Sequence, residues 1–237
     1  MTDADRGTPV GRRVFLGLVG LGAAGVVFGA RVQDFVGNVL APVEAKDFTG
    51  LSSLLPFSRF RFYTVTGDFP SRTREEYKLA VSGLVERPFT LSYAELAAMP
   101  KTTVKRDFQC VTGWRVPDQH WTGVRLSTLL DRAGVKPDAT ALRFVSFDGT
   151  YTESLTLPQA RRADVMVAYE LEGKPLSSNH GGPARLYVAP MYGYKSCKWL
   201  ERIEVTAKVE TGYWEDYGYD VDGWVGRSNG RDDAPTS

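Results

Sequence analysis

The pattern of hydrophobic and polar positions changes along the chain. Residues 14–30 form one uncharged run of Val, Leu, Phe, Gly and Ala. Residues 31–58 mix apolar and polar positions without a period and carry Pro42 and Pro56, which predicts a linker or a wrapping arm. From Arg59 the chain breaks into short runs punctuated by turn residues. Residues 77–85 alternate as a strand does, and Glu86-Arg87-Pro88 turns it. Ser92-Tyr93-Ala94-Glu95 is a capping box that opens a short helix, stopped by Pro100. Leu126, Leu129, Leu130 and Ala133 have helical spacing, with Gly134 at the C′ position.

The pattern continues to the end of the sequence. Residues 142–147 read as an apolar strand ending at Asp148-Gly149, and Thr156-Leu157-Pro158-Gln159 as a second capped helix start. Residues 165–171 and 174–176, joined by Glu172-Gly173, predict a hairpin. Residues 185–189 and 200–207 predict further strands. In the last of these, Glu201, Ile203, Val205 and Ala207 share the face opposite Leu200 and Arg202, which predicts one buried face. The residues from 230 to 237 are polar and predict a disordered tail. Several strands with short interspersed helices define an α+β fold of mixed or antiparallel sheets, in a single domain over residues 59–229.

Composition narrows the chemistry. Of 237 residues, 43% are apolar and 24% charged, enough to build a core. A net charge of +1 gives no basic field for nucleic acid. Two cysteines and two histidines exclude a four-cysteine zinc site, a cubane cluster and a three-histidine metal site. No C-x-x-C-H is present for an attached haem. Redox or metal chemistry therefore requires a cofactor that brings most of the ligands.

Arg12-Arg13-Val14-Phe15-Leu16 ahead of the apolar run reads as a twin-arginine (Tat) export signal over residues 1–30. The expectation is export of a folded protein to the periplasm or cell envelope. Phe28-Gly29-Ala30 is a poor small-x-small cleavage site. A helix over residues 14–30 is about 26 Å long at 1.5 Å per residue, just short of a comfortable span. Cleavage and retention as an anchor both stand.

Cys110 lies in Arg106-Asp107-Phe108-Gln109-Cys110-Val111-Thr112-Gly113-Trp114-Arg115, a strand end opening into a loop. Three readings apply: a buried small hydrophobe, a disulfide with Cys197, or a thiolate ligand to a soft metal. In a second segment, Asn179-His180-Gly181-Gly182-Pro183-Ala184-Arg185 precedes Tyr192-Gly193-Tyr194-Lys195-Ser196-Cys197-Lys198. Glycines beside an arginine, with two lysines nearby, suit phosphate. The plainer reading is a glycine-bearing loop with solvated lysines. His120 reads as a surface residue.

Taken together and in order, these strings resemble the molybdopterin-binding domain of the sulfite oxidase family over roughly residues 59–225. The matching strings are Phe62-Tyr63-x-Val65, Gln109-Cys110-Val111-Thr112-Gly113-Trp114, Trp121-x-Gly123-Val124-x-Leu126, His180-Gly181-Gly182-Pro183-Ala184-Arg185, Tyr192-Gly193-Tyr194-Lys195-Ser196-x-Lys198-Trp199-Leu200 and Gly212-Tyr213-Trp214-Glu215. The resemblance implies that Cys110 ligates molybdenum while a pterin dithiolene adds two sulfurs. It implies pterin-phosphate contacts at His180, Arg185, Ser196, Cys197 and Lys198. Arg61, Tyr63, Thr64 and Val65 line the cofactor, with a further contact at Asp148.

The implied chemistry is oxygen-atom transfer at an oxo-molybdenum centre. The size, the twin arginine and Cys-Val-x-x-Trp resemble the small exported subunit that reduces methionine sulfoxide. Arg115 and His180 match the sulfite-oxidising branch instead. Arg115 is the candidate substrate contact, with a salt bridge to Asp118 as its plainer role. Tyr192 and Tyr194 are candidates to line the pocket. The chain shows no second redox centre, so the resemblance implies a haem or cytochrome electron-transfer partner, soluble or membrane-embedded. Two alternatives remain: a sulfite-oxidising dehydrogenase, and a cofactor-free binding module with a Cys110–Cys197 disulfide.

Overall fold

The computed structural model describes residues 60–236. The export signal and the arm, residues 1–58, lie outside the described residues. The first sheet has the order β2-β1-β10-β5-β6. It is built from β1 (Lys78–Gly83), β2 (Phe89–Ser92), β5 (Ala141–Ser146), β6 (Thr152–Thr156) and β10 (Leu200–Thr206). Strands β1 and β10 are parallel and the other pairs antiparallel, so the sheet is mixed. The second sheet joins β3 (Lys101–Gln109), β4 (Arg115–Arg125), β7 (Val165–Leu171) and β8 (Lys174–Pro175), with β9 (Arg185–Val188) also on β7. Two sheets, one mixed and one antiparallel, with short helices make the expected α+β architecture in one domain.

The helices form where their caps predicted. Helix α1 (Tyr93–Ala98) starts at the Ser92–Glu95 capping box, and α3 (Leu157–Ala160) at the Thr156–Gln159 box. Between them α2 (Leu126–Ala133) ends at Gly134, whose φ of 69° puts it in the left-handed region. Its Leu126, Leu129, Leu130 and Ala133 are all fully buried. The last helix, α4 (Tyr213–Asp216), is a single turn.

The core lies between the sheets and divides on β7. Val165, Val167 and Tyr169 face the larger cluster with Leu79, Leu142, Phe144 and Ile203. The alternate residues Met166 and Ala168 face a smaller one with Trp121, Tyr187 and Phe108. A strand covered on both faces reads as a continuous apolar run, as β7 does. On β10, Leu200 is buried together with Ile203 and Val205. The predicted alternation fails there because the register shifts between Leu200 and Arg202.

Residues 230–236 depart from the expected disordered tail. The hydroxyl of Tyr192 donates to Asp233 at 2.8 Å, and Thr236 Oγ1 donates to the Ala189 carbonyl at 3.1 Å. Polar residues stay ordered here because their hydrogen bonds close onto the domain. Among the described residues no helix is long and apolar enough to cross a membrane.

Candidate active site

Strands β3 and β4 form the long hairpin whose tip carries Cys110. The Cys110 N–H donates to the Trp114 carbonyl at 2.9 Å, and Gly113 N–H to the Cys110 carbonyl at 3.0 Å. The thiol lies 3.2 Å from Thr112 Oγ1. Both cysteines are free, so the disulfide reading is corrected: Cys197 sits in the core and Cys110 at the hairpin tip.

Cys110 opens into a cavity of about 350 Å³. Arg61, Tyr63, Thr64, Val65, Asp148, His180, Arg185, Ser196 and Lys198 line it with Cys110. Nearly all of the residues singled out from the sequence thus meet at one place. Cys197 does not line the cavity; its carbonyl accepts from Leu186 N–H at 2.8 Å and its thiol is buried.

Arg115 does not line the cavity either. Its guanidinium faces Asp107 at 3.2 Å and Gln109 Oε1 at 2.6 Å, and donates to the Ala234 carbonyl. Asp118, its expected partner, pairs instead with Lys105 at 2.7 Å. The cause is the pleat: residues on opposite sides of the hairpin tip, such as Gln109 and Arg115, are cross-strand partners.

One end of the cavity is cationic. Arg185 is buried and donates to the carbonyls of His180 at 2.9 Å, Ser196 at 2.7 Å and Leu186 at 3.2 Å. It therefore ties the two glycine-bearing segments together while presenting its charge. Burial lowers its pKa to about 10. Burial, then the charge of Arg185, lowers Lys198 to about 7; its ammonium donates to the Tyr63 carbonyl. His180 is lowered to about 4 by burial and then by Arg185 and Lys198, so it is neutral at pH 7. Its Nδ1 lies 2.9 Å from Ser177 Oγ. Gly181, at φ of 88°, passes so close to Lys198 that a Cβ would stand 2.6 Å from the lysine Cβ.

The sequence reading missed most of the aromatic wall. Phe60, Phe62, Trp214 and Tyr219 line the cavity, and Trp114 does so while also packing on Phe108 with ring centroids 5.7 Å apart. Tyr194 lines the cavity, whereas Tyr192 is buried beside it. Glycine and aromatic spacing around Gly212-Tyr213-Trp214 was the available signal. Lys195, read either as a cation near a phosphate or as a solvated lysine, is fully buried between Glu153 and Glu215. His120 is on the surface beside Glu172, as expected.

The wall also holds polar atoms without protein partners. Asp148 Oδ2, Thr64 Oγ1 and Trp114 Nε1 are buried and make no hydrogen bond. Each belongs to a residue lining the cavity. An acceptor, a hydroxyl and a donor left open in one cavity fit a ligand with a polar heterocyclic edge, since orphaned buried polar atoms are costly. A flat polar ring system with an anionic tail matches both these atoms and the cationic end.

The mixed-sheet domain thus gathers one free thiol, a cationic end and an aromatic wall around a common cavity. Residues 66–214 match the oxidoreductase molybdopterin binding domain, and the chain belongs to that family, the sulfite oxidase family. Its cofactor is molybdenum-molybdopterin. The chain is 36% identical to an uncharacterized oxidoreductase, YuiH, of Bacillus subtilis, covering 67% of this chain and 80% of the relative. It is 30% identical to a putative protein-methionine-sulfoxide reductase subunit, YedZ1, of Azospira oryzae, covering 81% and 69%. Among solved structures, the sulfane dehydrogenase SoxCD of Paracoccus pantotrophus is similar with a TM-score of 0.54 and 27% identity. That likeness covers 59% of this chain and 40% of SoxCD.

Proposed function

We propose that this oxidoreductase is exported by the Tat route and reduces sulfoxides, such as methionine sulfoxide in proteins. The observation that carries this reading is the aromatic wall and its rim. Phe62 and Tyr63, which line the cavity, are among the exposed large hydrophobic side chains of the described residues. Phe69 and Tyr217 are also exposed, beside Trp199 and Trp214, which line it too. Exposed apolar surface gathered at a cavity mouth suits a substrate with apolar arms, and sulfite has none. Support from the relatives is the sulfoxide reductase name carried by YedZ1.

The chain's own residues would divide the work. Cys110 would ligate the metal, steadied by Thr112. Asp148 Oδ2, Thr64 Oγ1 and Trp114 Nε1 would hold the pterin edge, and Arg185, Lys198 and His180 its phosphate end. Ser196 would offer its hydroxyl proton, because its backbone N–H donates to the Gly193 carbonyl at 3.1 Å and its hydroxyl oxygen accepts from Val188 N–H at 3.0 Å. When bound, the cofactor supplies two-electron exchange of an oxygen atom. In balance, sulfoxide, two protons and two electrons give sulfide and water. The electrons would come singly from a haem carrier, soluble or membrane-embedded.

One observation favours the opposite direction, oxidation of sulfite: Arg61 lines the cavity and its charge reaches Cys110. The deciding experiment uses purified holoenzyme on both substrates. Sulfoxide with a reduced viologen as donor is expected to turn over faster than sulfite with an artificial acceptor; the reverse order refutes the reading. Cys110→Ser is expected to lose molybdenum, and Cys197→Ser to keep it.

A further inference from the structure

Residues 226–236 close over the hairpin tip that carries Cys110. The segment is pinned beside Tyr192. Tyr192 N–H donates to the Gly223 carbonyl at 2.7 Å, Val225 N–H to the Pro190 carbonyl at 3.2 Å, and Gly226 N–H to Tyr192 Oη at 3.1 Å. The far side is anchored where Thr236 meets Ala189 and Arg115 reaches the Ala234 carbonyl.

Between these anchors Arg231 is locked onto Asp233, with Nε and Nη2 donating to its two carboxylate oxygens at 2.6 and 3.0 Å. Asp233 in turn accepts from the Tyr192 hydroxyl. A bidentate pair of this kind fixes the guanidinium plane. Arg231 Nη2 lies 3.1 Å from where a Cβ on Gly113 would stand, and Gly113 has φ of 97°. The tip and the guanidinium therefore meet closely: a Cβ there would push the guanidinium by a few tenths of an ångström, and the positive φ itself favours glycine.

We propose that Arg231, held by Asp233, is a positioning residue of the active site: it props the Cys110–Gly113 turn from behind and offsets the negative charge that gathers on a metal-bound thiolate. This rests on the reading of Cys110 as the metal ligand. Arg231 is outside the cavity lining and acts through the turn. A fixed cation beside the turn favours the more negative, reduced state of a bound metal, because charge and hydrogen bonding around a ligand tune its redox behaviour.

The test compares Arg231→Met, Arg231→Lys and Asp233→Asn as holoenzymes. The readouts are molybdenum content, the Mo(V) electron paramagnetic resonance spectrum and the midpoint potential. Arg231→Met is expected to keep molybdenum, to alter the spectrum and to lower the potential; Arg231→Lys is expected to restore most of both. Asp233→Asn, which frees the guanidinium but keeps its charge, is expected to alter the spectrum without lowering the potential.

Hydrogen exchange gives a second readout, made on cofactor-free protein. Amides of residues 111–115 are expected to exchange about tenfold faster in Arg231→Met, as a local opening does. An unchanged spectrum and potential in Arg231→Met overturns the proposal, even where thermal stability falls. A Cys110→Ser holoenzyme with the wild-type spectrum refutes the ligand reading alone. In that case the exchange rates decide whether Arg231 props the turn.

Discussion

Removing the ammonium of Lys195 exposes the cost of a buried charge group. Lys195, Glu153 and Glu215 are all nearly inaccessible to solvent, and the lysine bonds both carboxylates. Glu215 also accepts from the Gly212 N–H that opens α4, so the group joins β6, the Gly193–Lys195 turn and α4. In Lys195→Met, two carboxylates stay buried without their cation. Breaking such a pair costs about 3–5 kcal/mol. At about 2–4 °C per kcal/mol for a domain of this size, the melting temperature falls by about 6–20 °C.

The pH dependence carries a sign. Burial holds the Glu153 carboxyl well above the ordinary carboxylate range, more than Lys195 can offset. A carboxyl with a raised folded pKa binds more protons folded than unfolded. Its stability contribution therefore falls as pH rises from about 4.3 towards the folded value. In the variant this slope steepens, so the loss is larger at neutral pH than near pH 5, the acid side of that window. Differential scanning calorimetry of cofactor-free protein across this range measures it. A loss below about 1 kcal/mol, or one that does not change with pH, refutes the reasoning, since surface pairs behave that way.

Other expectations follow from single groups. Leu130→Ala, in a fully buried position on α2, is expected to cost about 2–5 kcal/mol by chemical denaturation. His180 is depressed to about 4, so its neutral form favours folding; that contribution is present above about pH 6.5 and lost as pH falls towards 4. His180→Gln is expected to flatten that part of the melting profile. Lys198 is held at about 7, so affinity of the cofactor-free protein for a phosphomonoester is expected to fall as pH rises past neutrality, read by calorimetry. Asp148→Asn turns an unpaired acceptor oxygen into an amide at that position and is expected to weaken cofactor retention, read as molybdenum per chain after dialysis.

The elements with local signatures were legible in the sequence. The capping boxes at Ser92 and Thr156, the left-handed Gly134 and the apolar run of β7 each carry their cause within a few residues. The long hairpin of β3 and β4 was seen only as a strand end near Cys110. Its residues are heavily charged and interrupted by Pro117, and its stability comes from cross-strand pairs that no local pattern reveals. The cofactor-side residues were found through an ordered set of strings. Arg115 and Lys195 were misplaced because a charged side chain's partners are set by tertiary packing: Asp107 across the hairpin tip in one case, two buried carboxylates in the other. The closing segment looked disordered because polar composition does not reveal hydrogen bonds to the far side of the domain.

The tryptophans of the cavity wall have a practical consequence. Of the five in the chain, Trp114, Trp199 and Trp214 border the cavity, while Trp121 and Trp224 do not. A conjugated heterocycle entering among them takes up their excited-state energy. The protein thus carries a built-in optical gauge of occupancy, so loading and release can be timed by intrinsic fluorescence without a substrate, a label or an electron donor.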